Sequence, residues 1–341
     1  MTSMENKRLH WLDAVRGVAL TTTMWLHIMR WLLLAFAGWS FTDSSFANWQ
    51  VGVIRFTEGY LRMSWLIPFA FAFAITISDN NYTIKWISKR FLLLFVLPTA
   101  IYSALAFHEG FQTRWEVIQS LFFYNLLGLL VVTWSRNIRY IFYVAILASS
   151  IYMHYMGPEL LESGSLFWKI MVGGLNEDNF FSIASGLPCF FLFFEQALVL
   201  YDKKTESLNT RPLWVILILA LIAMISSWAI GFNQIEPRHY PPQFAEYLGS
   251  VIISNLTVIL CYKYRSKISE YSFLSILGRY CWVHFIGHLA LGTYIFEYLH
   301  LGNNRLDFIP AALIGILVLL ILWKSNVAVL KYRQKRSGYG K

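Results

Sequence analysis

The chain has 341 residues, 57% of them hydrophobic and only 14% charged, with a mean hydropathy of +0.50. A soluble domain carries roughly a quarter charged residues, so this composition excludes an ordinary soluble enzyme and predicts an all-α, polytopic membrane bundle forming one domain over 1–341. The net charge of +9 belongs with membrane topology rather than with nucleic acid, because of where the basic residues fall.

Residues 1–15 read as a short cytoplasmic N-terminus, and the first span, roughly 17–38, follows it. Asp13, Arg16, Leu20, Thr23, His27 and Arg30 step by three or four residues and so share one helical face. An ionisable group at membrane depth costs about 3 kcal/mol or more unless it faces a protein interior or a wet cavity. The stripe is therefore the first functional candidate. His27 follows Arg16 by eleven residues, about 16 Å along the helix axis. With Arg16 at the cytoplasmic boundary, His27 lies near the middle of a core about 30 Å thick. Asp13 and Arg16 are spaced to pair. Ala35-Phe36-Ala37 resembles a signal-peptidase site, yet the run before it is long and contains His27 and Arg30, so a retained span is expected.

Span 2, at 53–77, runs the opposite way and places Arg55, Glu58 and Arg62 on one face, with Arg62 near mid-depth. Spans 3 to 8 are predicted at 91–107, 115–134, 140–156, 179–200, 213–232 and 243–262. Asn125, Glu195, Gln196 and Asn255 are polar insertions in them, and Glu195 is expected to partner Arg279 or a cytoplasmic lysine. The 157–178 segment, with Gly157-Pro158 and Gly173-Gly174, reads as the longest outer loop; with the segment 231–242 it could shape a vestibule. Pro241-Pro242 suits the first turn of span 8. Span 9, at 273–298, carries Arg279, His284 and His288, of which His284 reads as lateral packing. Span 10 covers 308–326, and the basic tail 327–341 reads as a cytoplasmic anchor patch for membrane lipid.

With both ends inside, twenty basic residues fall in cytoplasmic segments against four in the outer loops, Arg114, Lys169, Arg238 and Arg305. That bias fixes the orientation of a multi-pass protein, with a bacterial inner (plasma) membrane as the expected location and no nucleic-acid partner. Cys189, Cys261 and Cys281 all fall within spans and lack ligand spacing, so neither a disulfide framework nor a metal site is expected. The buried histidine and arginines suit a proton-handling step. A neutral imidazole can act as general base toward a hydroxyl or amine, or accept a group covalently, while guanidinium donors hold an oxyanion or phosphate. A proton-coupled transporter or flippase for a polar or anionic solute uses the same residue types, although the repeated halves common in transporters are not seen.

The run Arg8-x4-Asp13-x2-Arg16-Gly17-x-Ala19-x7-His27 resembles the first-span signature of the transmembrane acyltransferase superfamily, which holds the acyltransferase-3 and heparan-α-glucosaminide N-acetyltransferase-like proteins. Lys89-Arg90 with Pro98, Tyr240-Pro241-Pro242, and Leu277-Gly278-Arg279 with His288 are similar in order. The segment Pro68 to Ser78 lacks the glycine that relatives often carry, and Arg279-Tyr280-Cys281 stands where acyltransferase-3 proteins tend to show Ser-Tyr. The resemblance implies transfer of an acyl group, commonly acetyl, from cytoplasmic acyl-CoA to a hydroxyl or amine of a glycan or glycolipid on the far side. It implies that His27 is the catalytic base or acyl relay and that Arg16 and Asp13 order the inner mouth. Arg8, Arg30, Arg62, Arg279 and His288 would then line the substrate and acyl-CoA path.

Overall fold

A chain this apolar satisfies its backbone by pairing N–H and C=O groups internally, and most of the described residues are helical. The computed structural model describes residues 9–34, 66–77, 84–97, 99–100, 117–162, 165–172, 183–229, 244–281, 283–284, 287 and 308–336. In chain order the helices are α1 (His10–Leu34), α2 (Leu66–Ile77), α3 (Ile84–Phe91), α4 (Val117–Val131), α5 (Arg136–Glu162) and α6 (Leu166–Val172). These are followed by α7 (Ile183–Leu200), α8 (Arg211–Ala229), α9 (Phe244–Lys263), α10 (Phe273–Arg279) and α11 (Phe308–Arg336). A π-helical turn, Leu92–Val96, continues α3. Two short antiparallel strands, β1 (Tyr201–Asp202) and β2 (Ser207–Leu208), form a small hairpin between α7 and α8. Its turn is held by the Asp202 carboxylate, which accepts from the Thr205 hydroxyl at 2.7 Å and the Lys204 N–H at 2.9 Å. Those bonds hold the Asp202 carboxyl below its ordinary range.

The chain divides into two compact units, with the boundary inside α9. The first comprises residues 1–58 and 256–341, hence α1, the end of α9, α10 and α11; the second comprises residues 59–255. Of the described helices, α11 is long and apolar enough to cross a membrane, and shorter apolar helices occupy Leu66–Ile77, Gln119–Val131, Gly186–Leu200, Arg211–Ser227 and Tyr247–Lys263. Several helices leave apolar stripes uncovered. On α5 the exposed residues include Ile141, Val144, Leu147 and Ile151; on α8, Val215, Ile218, Ile222 and Ile225; on α11, Leu313, Ile316, Leu317 and Leu320.

Three boundaries differ from the sequence expectation. The span placed at 140–156 is part of a helix that starts at Arg136 and runs through Gly157-Pro158 to Glu162. A proline forfeits one backbone bond without ending a helix, and the strong helix formers Glu159-Leu160-Leu161-Glu162 follow it. The 157–178 segment is consequently not one loop, since it also contains α6. The tail after residue 326 is helical as far as Arg336, so the last span and most of the basic patch form one continuous rod. Its Lys and Arg residues propagate a helix well and oppose the negative end of the helix dipole.

In the second unit, α7 packs an aromatic core. Phe190, Phe193 and Phe194 are fully buried, and Phe73 lies 6.1 Å from Phe194 and 6.4 Å from Phe190 between ring centroids. The same helix contains Pro188, which has no N–H to give to the carbonyl of Ala184 four residues earlier. The Ser150 hydroxyl of α5 donates to that carbonyl at 2.6 Å. One residue earlier, the buried Tyr124 hydroxyl donates to the Ile183 carbonyl at 3.0 Å, and Gly186 leaves the room that the Tyr124 ring occupies. The Ser150 side chain of a neighbouring helix thus supplies the bond that a proline-interrupted helix cannot make itself. Ser150→Ala is expected to cost about 1–2 kcal/mol by orphaning a buried carbonyl. In a Pro188→Ala background, where residue 188 regains its N–H, the same change should cost far less. Thermal denaturation of the four proteins in detergent measures the coupling; equal costs in both backgrounds would refute the substitution of hydroxyl for amide.

Candidate functional site

The N-terminal half of α1 is ordered by one close helix crossing in the first unit. Gly17 faces α10 so closely that a Cβ there would overlap the Leu274 carbonyl oxygen. Across the same contact, a Cβ on Gly278 would overlap the Asp13 carbonyl oxygen and come within 2.6 Å of the Gly17 nitrogen. Two glycines therefore bring two backbones into direct contact, the arrangement that small residues permit between helices in lipid. The crossing joins Asp13-Ala-Val-Arg16-Gly17 to Leu277-Gly278-Arg279, segments more than 250 residues apart in the chain.

Charged groups sit around this crossing. Asp13 is buried, 2% exposed, and its Oδ1 accepts from Arg16 Nη1 at 2.9 Å, the pairing that the spacing predicts. Arg279 pairs with Glu270 at 3.7 Å. Both guanidinium groups remain about one-quarter exposed, and each has more N–H donors than one carboxylate oxygen takes up. Glu270 also accepts from Gln334 Nε2 at 3.1 Å, the Tyr271 hydroxyl donates to Gln334 Oε1 at 2.5 Å, and Trp323 Nε1 donates to the Tyr271 carbonyl at 3.0 Å. The turn before α10 is thereby fastened to the C-terminal half of α11. Trp11 meets Tyr262 edge-on at 5.3 Å, which fastens the start of α1 to the end of α9.

Farther along α1, His27 is half-buried, eleven residues and about 16 Å beyond Arg16. Around it, α1 leans on α11: Trp25 Nε1 donates to the Ala312 carbonyl at 3.3 Å, the Trp25 ring covers Gly315, and Met29 is buried against Ala311. The Thr23 hydroxyl is satisfied by the Ala19 carbonyl at 2.9 Å, an internal bond that costs the helix little. His284 is buried and lies 2.9 Å through Nε2 from Asn326 Nδ2, so it packs as a hydrogen-bonded strut against α11. With the amide donating, Nε2 is the acceptor and the ring proton sits on Nδ1.

One predicted pairing is corrected. Glu195 is bound neither to Arg279 nor to a lysine. It takes a bidentate pair from Arg139, Nε to Oε2 and Nη2 to Oε1, both at 2.9 Å, and a third bond from the Tyr143 hydroxyl at 2.9 Å. The remaining Arg139 Nη1 donates to the Trp134 carbonyl at 3.0 Å. A guanidinium fork matches a carboxylate in a way an ammonium cannot, and the bond holds Arg139 even more firmly protonated than usual. This network clamps the first two turns of α5 to α7, a structural joint between the two helices.

Arg8, Arg62 and His288 lie outside the described residues, as do Arg55, Glu58, Pro98, Tyr240-Pro241-Pro242 and the side chains of Arg30 and Arg90. Sequence reasoning did not find Glu270, Tyr271, Gln334 or Asn326. Only Asn326 left a signal, as a lone amide at the end of an apolar run. Among the described residues, no group of three or more His, Cys, Asp or Glu side chains is placed to hold a metal ion. Chemically, the glycine crossing offers guanidinium donors suited to phosphate, and the later part of α1 offers an imidazole. No family model, curated protein or solved structure matches the chain.

Proposed function

We propose that the protein is an integral-membrane acyltransferase that moves an acyl group, acetyl in the first instance, from cytoplasmic acyl-CoA to a hydroxyl or amine of a glycan or glycolipid across the membrane. The observation that carries this reading is the glycine crossing. It sets the segment carrying Asp13, Arg16 and Gly17, which holds the specific first-span signature of the superfamily resemblance, against the segment carrying Leu277, Gly278 and Arg279, a further match to it. Arg16 and Arg279 then receive the phosphates of the donor, and Asp13 fixes the Arg16 guanidinium. His27, deeper on the same helix, takes the acceptor proton as the hydroxyl or amine attacks the thioester carbonyl and the CoA thiolate leaves. In the relay variant its imidazole takes the acyl group first and passes it on. Arg8, Arg30, Arg62 and His288 are assigned to the path on the resemblance alone.

The ten-span, both-ends-inside layout is part of the proposal. Uncovered isoleucine, leucine and valine stripes on α5, α8 and α11 support it, because a soluble protein rarely leaves contiguous apolar surface of that extent open to water. Charge supports the orientation, since basic residues crowd the segments assigned to the cytoplasm. Acyl-CoA at millimolar concentration should raise the melting temperature of the purified protein, because a ligand at about 100 times its Kd adds about 2.7 kcal/mol. Desulfo or dephospho donors should stabilise it less. No shift with any donor, together with pH-gradient-driven solute uptake by proteoliposomes, would favour transport instead.

A further inference from the structure

We infer that the cytoplasmic end of the first unit carries a built binding collar for anionic phospholipid headgroups, formed by the last turns of α11 and the Arg265–Lys267 turn. The inference rests on the proposed topology only in placing this end at the cytoplasmic leaflet. The α11 rod has 29 residues, a length of about 43 Å, against a hydrocarbon core of about 30 Å. With Phe308 at the outer boundary, Lys324 lies about 24 Å and Lys331 about 34 Å along the axis. The rod therefore leaves the hydrocarbon between them, and Lys331, Arg333 and Arg336 sit at headgroup level.

Three observations make this more than a solvated basic tail. The rod is fixed: Trp323 and Gln334, eleven residues apart, are both bonded to the Glu270–Tyr271 turn. The cations are seated on aromatic faces, with Arg265 4.1 Å from the Tyr262 ring centre, Lys324 4.3 Å from Trp323 and Lys331 5.7 Å from Tyr271. Arg333 and Arg336 line a shallow groove with Ala328, Val329 and Tyr332, and none of Arg265, Lys331, Arg333 and Arg336 has an ion-pair partner among the described residues. A phosphodiester supplies the missing charge, and its acyl chains lie along the apolar flank of the same helix. A soluble phosphate would gain the first interaction and not the second.

The test is equilibrium binding of a fluorescent short-chain phosphatidylglycerol to the full-length protein in neutral detergent, with the phosphatidylcholine analogue and inorganic phosphate as comparators. Each surface cation contributes about a fivefold gain for an anionic lipid, so Lys331→Gln/Arg333→Gln should weaken binding roughly 25-fold, while Lys331→Arg should retain it. Unchanged affinity in the double variant, equal affinity for phosphatidylcholine, or displacement by equimolar inorganic phosphate would overturn the collar. Topology is read separately, by impermeant maleimide labelling of Lys335→Cys. Labelling from outside intact cells would overturn the orientation, and with it a collar at the cytoplasmic leaflet. A tail that is inside but insensitive to charge would overturn the collar alone.

Discussion

His27→Ala is expected to lower acyl transfer from acetyl-CoA by about 10²–10⁴-fold, the usual contribution of a positioned general acid or base, while leaving donor binding nearly intact. The argument is one of place and chemistry. His27 is half-buried on α1, on the same helical stripe as the Asp13–Arg16 pair and far enough along the axis to meet an acceptor rather than the phosphates of the donor. Because its proposed role is in the bond-making step, the loss should appear in kcat and not in KM for acetyl-CoA. Arg16→Ala should do the reverse, raising KM for the donor. Added imidazole should partly rescue His27→Ala if the ring acts as a base. Undiminished transfer by His27→Ala would remove the residue from the mechanism.

Gly278→Ala is expected to be the most damaging single-methyl change in the described part of the first unit. The new Cβ would overlap the Asp13 carbonyl oxygen and crowd the Gly17 nitrogen; both are backbone atoms, so no rotamer change relieves the clash. The helices must separate, at about 3 kcal/mol, the upper end of what overpacking costs. Gly17→Ala should behave alike through Leu274, and the double variant should fall short of the sum because both changes pry open one contact. Gly287→Ala is the control, since a Cβ there meets nothing within 4 Å. Melting temperatures in detergent decide it: a Gly278→Ala protein that melts with the Gly287→Ala control would contradict the crossing. Activity should fall with stability, because the same separation carries Arg279 away from Asp13 and Arg16.

What was legible in the sequence is what local periodicity encodes. The 3.6-residue repeat put Asp13 and Arg16 on one face, and their pairing follows from spacing alone. Long apolar runs announced helices, because a helix pairs its backbone groups within one segment. Ends were poorly legible. Gly157-Pro158 looks like a stop, yet α5 continues through it, and the basic residues after 326 read as an anchor patch separate from the last span although they continue α11. Partners across space were hidden. Glu195 announces a buried carboxylate but not which cation meets it, and Arg139 prevails through its fork. Nothing local links Pro188 to Ser150, or Gly17 to Leu274. A glycine in an apolar helix gives no hint of which backbone it admits until the neighbouring helix is in place.

The most direct measurement is made on sealed inside-out membrane vesicles containing the protein, supplied from outside with acetyl-CoA labelled in the acetyl group. The proposed function predicts label covalently attached to a glycan or glycolipid in the vesicle lumen, dependent on the protein and on an intact His27. Vesicles that leave the lumenal glycans unlabelled, yet accumulate a polar or anionic solute when a pH gradient is imposed, would contradict it.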